Sequence, residues 1–392
     1  MNKTLLIIVT LFAIACNKDD ESVKLTVTVQ PIESLDVTIS WNLEGGDGQT
    51  LYRIVFNDET IEDGFNGTQY TFTGIENYTN YSGVVFAISE NGDDTFANFN
   101  FTTKGDIWYG DRSISRPYEV ENFNLKVVTG RLQIWGVDDL SSFSSLEQVG
   151  ALEIRNSEAS SLQGLHNIST FTSTTGAVKI KDCPNLTDVS ALSNVASQMI
   201  SVDINDAPSL SDLTGLGLQN NGNLILVDCN VSSLQVFGNL TQLKRLRLIG
   251  LENLSSLAPF NLSGDMLVLI LDDLPSLTNL NDLNSIESFE YFELNDLDIT
   301  SLQGLDSWSA VNYLRIFRCD QLENLDGTSL NTGFDVDSRK PRLSIWNNPN
   351  LTDLCGFRTL ALNVDFGNFY QVSANAYNPN EAQLESETGC RQ

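Results

Sequence analysis

The alternation of apolar and polar positions changes twice along the chain. Met1 to Ala15 contains a nearly unbroken apolar run, Leu5 to Ile14, too short to span a bilayer permanently. Between residues 23 and 104 apolar and polar positions alternate with period two, as in half-buried strands. The segments are Lys24–Val29, Leu35–Trp41, Leu51–Phe56, Gln69–Phe72, Gly83–Ile88 and Phe96–Phe101. Gly45-Gly46, Asp47-Gly48, Asp63-Gly64 and Asn91-Gly92 supply turn signals between them. About seven short strands separated by such turns predict a β-sandwich.

From Leu132 onward the pattern repeats as L-x-I-x-(N/D/G)-x-x-x-L-x-x-L. Copies begin at Leu132, Leu152, Val178, Val202, Leu224, Leu246, Leu269, Phe292, Leu314 and Leu343, at intervals of 20 to 29 residues. L-x-I is a short strand whose apolar residues point one way and whose x residues point the other. Asn, Asp or Gly then turns the chain, and the later leucines fill the core of the returning segment. One copy cannot bury its apolar face alone, but stacked copies share a continuous core. The expected fold is therefore mainly β: a β-sandwich at 23–104, then a leucine-rich-repeat solenoid with a parallel sheet and a C-terminal cap at 105–392.

Three stretches resemble known families. Lys3, the apolar run, Ala13, Ala15 and Cys16 resemble a bacterial lipoprotein signal, with 1–15 removed and Cys16 lipidated. Lys18, Asp19, Asp20 and Glu21 in the acidic tether 16–22 resemble the surface-export signal of Bacteroidetes lipoproteins. The resemblance implies an outer-membrane, lipid-anchored protein facing the exterior. Trp41 on the second strand, Tyr52 on the next, the Ile75 to Tyr81 spacing and AISENG at Ala87 to Gly92 resemble a fibronectin type III domain. The stretch Thr129 to Ile154 and NNPNLTDLCGF near the end resemble the irregular leucine-rich repeats of receptor L domains.

Composition narrows the function classes. Of 392 residues, 51 are acidic and 22 basic, a formal charge of −29 that repels nucleic acid and disfavours wide contact with anionic membrane. A single histidine, His166, removes most imidazole metal sites and His-dependent triads. No phosphate loop, HExxH, GxSxG or EF-hand sequence is present, and no cofactor or metal is expected. Cys183, Cys229 and Cys319 each take the sixth position of a repeat and read as small buried fillers. Cys355 and Cys390 lie beyond the last expected strand, so a disulfide between them is expected to seal the solenoid's end.

The outward strand positions carry the candidate site. Eight are basic (Arg131, Arg155, Lys179, Lys181, Arg245, Arg247, Arg315, Arg342) and four acidic (Glu153, Asp203, Asp272, Glu293). Trp135, Tyr291, Tyr313, Phe317 and Trp346 join them. Arg and Trp anchor many interfaces. The ligand-binding residues expected from this reading are Arg131, Trp135, Lys179, Lys181, Arg245, Arg247, Tyr291, Tyr313, Arg315, Phe317, Arg342 and Trp346. The reading is a non-catalytic surface protein, an adhesion or binding lipoprotein, whose partner is a glycan or a protein. Its alternatives are a carbohydrate-active enzyme on a parallel β-helix and a structural component of a surface complex.

Overall fold

A computed structural model describes residues 23–392 except 31–35, 46–49, 77–78, 89–94, 104, 175 and 334–340. The expected signal segment, Cys16 and the acidic tether lie outside the described residues. So do Leu35 and the expected Asp47-Gly48 and Asn91-Gly92 turns. Chain contacts divide the protein into two units, meeting between Trp108 and Tyr109.

The first unit holds β1 (Lys24–Val29), β2 (Val37–Glu44), β3 (Leu51–Phe56), β4 (Glu59–Phe65), β5 (Gln69–Phe72), β6 (Asn80–Ile88) and β7 (Thr95–Thr102). They form antiparallel sheets in the orders β1-β2-β5 and β4-β3-β6-β7. The alternation noted in the sequence buries Val37, Ile39 and Trp41 from one sheet with Ile54, Val85 and Phe99 from the other. Trp41 meets Tyr52 edge-on, with ring centroids 5.4 Å apart. The buried Tyr81 accepts a hydrogen bond at its Oη from the Glu76 N–H, 2.8 Å away, which ties the loop before β6 to the core. β4 was not expected, because ETIEDGF has no apolar alternation and forms an exposed edge. Asp63-Gly64, expected as a turn, lies within β4, where Gly64 is the extra residue of a bulge opposite Tyr52 and Arg53. The real turn is Asn57-Asp58, with φ of +49° and +66°, the conformation that tight hairpins demand.

The chain continues through β8 (Ile107–Trp108), β9 (Arg112–Ile114), α1 (Pro117–Glu121), β10 (Val127–Trp135), β11 (Gln148–Arg155) and β12 (Thr170–Phe171). Next come β13 (Ala177–Lys181), β14 (Ser201–Ala207), β15 (Gly222–Cys229), β16 (Leu243–Ile249), β17 (Ser263–Leu274) and β18 (Ser285–Leu297). The last elements are β19 (Ala310–Phe317), β20 (Arg342–Trp346), α2 (Arg358–Asn363), β21 (Tyr370–Ser373) and α3 (Glu381–Leu384). From β10 to β21 the main strands pair in parallel and in sequence order within a sheet of fourteen strands.

The register aligns the repeats residue for residue. Leu132, Leu152, Val178, Val202, Leu224, Leu246, Leu269, Phe292, Leu314 and Leu343 form one continuous row across the sheet. All ten are essentially fully buried. Four residues further on, each of these ten coils adopts left-handed backbone, from Gly136 at φ +63° through Asp182 at +54° and Asp273 at +52° to Asn347 at +55°. Arg318 and Ala374 hold the same position at +55° and +56°. A second recurrent device lies on the returning side. Asp139, Ser161, Asp188, Asp212, Ser233, Ser256, Asn279, Ser301, Asn324 and Asp353 each accept at a side-chain oxygen the backbone N–H two residues on. These local turns satisfy backbone donors that a sharp corner leaves unpaired.

The stack is longer than the motif count. β9 pairs ahead of β10, with Arg112 opposite Leu132, and β21 follows β20, with Tyr370 opposite Leu343. Both lie near the ends of the stack, where the first position need not be apolar. Cys355 and Cys390 are joined by a disulfide, with Cα atoms 4.9 Å apart. They do not both follow the last strand, however, since β21 lies between them in the chain. The disulfide therefore clamps the C-terminal tail to the coil after β20, where the Leu354 N–H also donates to the Cys390 carbonyl at 2.9 Å.

Candidate ligand-binding face

Because side chains alternate along a strand, each coil presents three positions on the outward face. They form three rows. The first runs Asn223, Arg245, Val268, Tyr291, Tyr313, Arg342 over β15 to β20. The second runs Gln133, Glu153, Lys179, Asp203, Ile225, Arg247, Ile270, Glu293, Arg315, Ser344. The third begins Trp135, Arg155, Lys181, Asn205, Val227, Ile249, Asp272, Asn295 and ends Phe317, Trp346, Ser373. Eleven of the twelve sequence-predicted residues fall in these rows, and Arg131, opposite Ala151, directly precedes Leu132 on β10, but they do not converge. Trp135 on β10 and Trp346 on β20 are nine strand spacings apart in the sheet, about 43 Å along it.

The rows divide into three zones. At the β10 end Glu153 is 2% exposed and takes hydrogen bonds from Gln133 at 2.9 Å, Arg131 at 3.2 Å and the Arg155 guanidinium. Burial pushes the Glu153 carboxyl up, but these three donors outweigh it and hold the group below its ordinary value. Arg131 also reaches Asp111 at 3.7 Å, and Lys179 pairs with Asp203 at 2.9 Å. Trp135 is half-exposed, with the Arg155 guanidinium 5.9 Å from its ring centre.

At the β20 end the aromatics stack on one another. Tyr291 and Tyr313 lie 4.8 Å apart with planes 11° from parallel, and Phe317 and Trp346 lie 4.5 Å apart at 6°. Arg342 lies 5.6 Å from the Tyr313 ring centre and 4.4 Å from that of Phe369. Arg315 donates to Glu293 at 2.9 Å and to the Tyr291 hydroxyl at 3.2 Å, while lying 5.0 Å over Phe317. Burial and the hydrogen bond to Glu293 push the Tyr291 phenol up to about 12. Ring faces used in this stacking are not free for sugars.

In the middle zone Arg245 and Arg247 are sequence-predicted, but the aliphatic residues around them are not, since they carry neither charge nor ring. On β15 to β17 the outward positions include Ile225, Val227, Ile249, Val268 and Ile270, all half-buried. Between them stand Arg245 and Arg247, both exposed. Among the described residues neither guanidinium has a hydrogen bond or ion pair. The signal was present in the sequence as an isoleucine or valine at x positions where other repeats carry polar residues.

Other sites hold little chemistry. A hollow on the returning side is lined by Asp138, Asp139, Ser161, Gln163 and His166. The Asp139 and Ser161 oxygens there already accept backbone N–H groups, and His166 Nδ1 contacts the Gln163 carbonyl. Among the described residues no group of three or more His, Cys, Asp or Glu is placed to hold a metal. Cys183, Cys229 and Cys319 are buried free thiols in one row, and burial pushes the last two up to about 12. Comparisons with protein-family profiles, with curated proteins and with solved structures found no match to this chain.

Proposed function

We propose that this chain is a non-catalytic surface lipoprotein that holds a glycan or protein partner on the outward face of its parallel sheet. One observation carries the binding half of this reading. Glu153, Asp203 and Glu293 are engaged by Arg131, Arg155, Lys179 and Arg315. Among the described residues that leaves Lys181, Arg245, Arg247 and Arg342 without a carboxylate, on a chain of net charge −29. Against one remaining carboxylate, Asp272, which accepts from Asn295, these four cations leave the face net positive on so acidic a protein, and such zones steer and orient partners. The non-catalytic half rests on Glu153 and Glu293, the buried carboxylates of the face, both occupied by arginines. The anchor rests on Cys16 and its flanks.

Two experiments test the proposal. Charge reversal at Arg245 and Arg247 combined with Trp346→Ala is expected to abolish ligand capture in a glycan-array and displayed-peptide screen. Capture unchanged by that variant would sink the binding reading. Cys16→Ser is expected to move the protein from the membrane to the soluble fraction, and its retention in the membrane would sink the anchor.

A further inference from the structure

The middle zone allows the partner to be stated more narrowly, on the premise that the sheet face is the binding surface. We infer that the face docks a protein segment carrying carboxylates next to aliphatic side chains, seated on β15 to β17 rather than on the terminal tryptophans. The seat consists of Ile225, Val227, Ile249 and Ile270 around Arg245 and Arg247.

The chemistry selects this occupant. Two exposed guanidinium groups on one strand, two residues apart and so on the same face, have no acidic partner among the described residues. A planar guanidinium meets a carboxylate through two parallel N–H···O bonds, so a carboxylate-bearing partner supplies what the sheet lacks. The aliphatic neighbours exclude water from such pairs and reward apolar contact. A glycan fits less well. Its hydroxyls would lose water against four β-branched side chains that offer no hydrogen bonds. Sugar-stacking platforms are scarce as well, since Tyr291 stacks on Tyr313 and Phe317 on Trp346.

The test uses the exported chain, immobilised and panned against a random peptide library displayed on phage. Arg245→Ala/Arg247→Ala is panned in parallel, and the corresponding Lys double variant serves as a charge-conserving control of folding. Peptides enriched on the parent chain are expected to carry Asp or Glu beside Leu, Ile, Val or Phe. Synthetic copies are expected to bind the Ala double variant about tenfold more weakly, the scale of a charge-assisted hydrogen bond. Their binding is expected to weaken with added salt and to be unaffected by Trp135→Ala or Trp346→Ala.

No enrichment, enrichment of peptides lacking carboxylates, or equal binding to the Ala double variant would overturn the inference. A glycan bound through Trp346 and indifferent to Arg245 and Arg247 would overturn it too, while leaving the sheet face as the binding surface. Sedimentation showing a dimer that the Ala double variant abolishes would assign the seat to a second copy and overturn the partner class. A ligand indifferent to every substitution on the face would overturn both readings.

Discussion

A single backbone conformation at one residue per coil decides where each strand ends. Residues other than glycine rarely sit at positive φ, with Asn and Asp the usual exceptions. That is why Asn, Asp or Gly in the fifth place of the motif was readable as a turn. Arg318 and Ala374 were not readable, since their types carry no such signal and the adjoining strand ladder imposes the conformation. The second row shows a different limit. Glu153 reads as one more outward charge, and only its 2% exposure and three donors reveal it as a structural anchor. A carboxyl held below its ordinary value stabilises the fold at pH above the unfolded-state value, about 4.3. That contribution disappears as pH falls through the lower folded-state value. Glu153→Gln is therefore expected to cost about 2 kcal/mol at neutral pH, with the gap in melting temperature to the parent closing below about pH 4. The buried thiols give a second residue-scale prediction. Cys183, Cys229 and Cys319 are expected to resist alkylation at pH 8 in the native protein and to react once it is unfolded, as mapped by mass spectrometry.

At the scale of elements, strand existence was largely legible because burial of one face imposes period two. All ten motif starts lie in one hydrogen-bonded row, so a spacing that varies between 20 and 29 residues is absorbed entirely by the returning segments. The elements missed are those whose environment relaxes that pattern. β4 is an exposed edge, and β9 and β21 lie near the ends of the stack, where Arg112 and Tyr370 stand in for leucine. The site was less legible than the fold. Outward positions were identified correctly, but which cations are paired depends on cross-strand neighbours that only the register reveals. The C-terminal clamp yields a measurable consequence. Cys355 and Cys390 are 35 residues apart, and closing a loop of that length in the unfolded chain is worth about 4 kcal/mol. Cys355→Ser/Cys390→Ser is expected to lower the denaturation midpoint accordingly, with early loss of amide protection in Tyr370–Ser373 by hydrogen exchange.

On the scale of the whole molecule, one long face of an acidic chain carries four cations that no carboxylate engages among the described residues. They sit on β13, β16 and β20, which are three and then four strands apart in the sheet. At the usual strand spacing these intervals are about 14 and 19 Å. Extended partners are suited to such a face, and lengthening the stack enlarges it without rebuilding the core. A coil deletion tests the idea directly. Removing Val202–Asn223 joins Ser201 to Leu224 and leaves Lys181, Arg245 and the aliphatic seat in place, but it shortens the first interval to about 10 Å. The shortened chain is expected to melt cooperatively. A partner that spans both cations in the parent is expected to bind it about tenfold more weakly, as one lost charge-assisted contact implies.

The strict register described above thus makes the sheet a ruler. Each strand is one graduation, and a side chain's distance from any other is set by counting coils rather than by loop length. Selection acting on such a molecule has two independent dials: which residue is engraved at a graduation, and how many graduations lie between two marks.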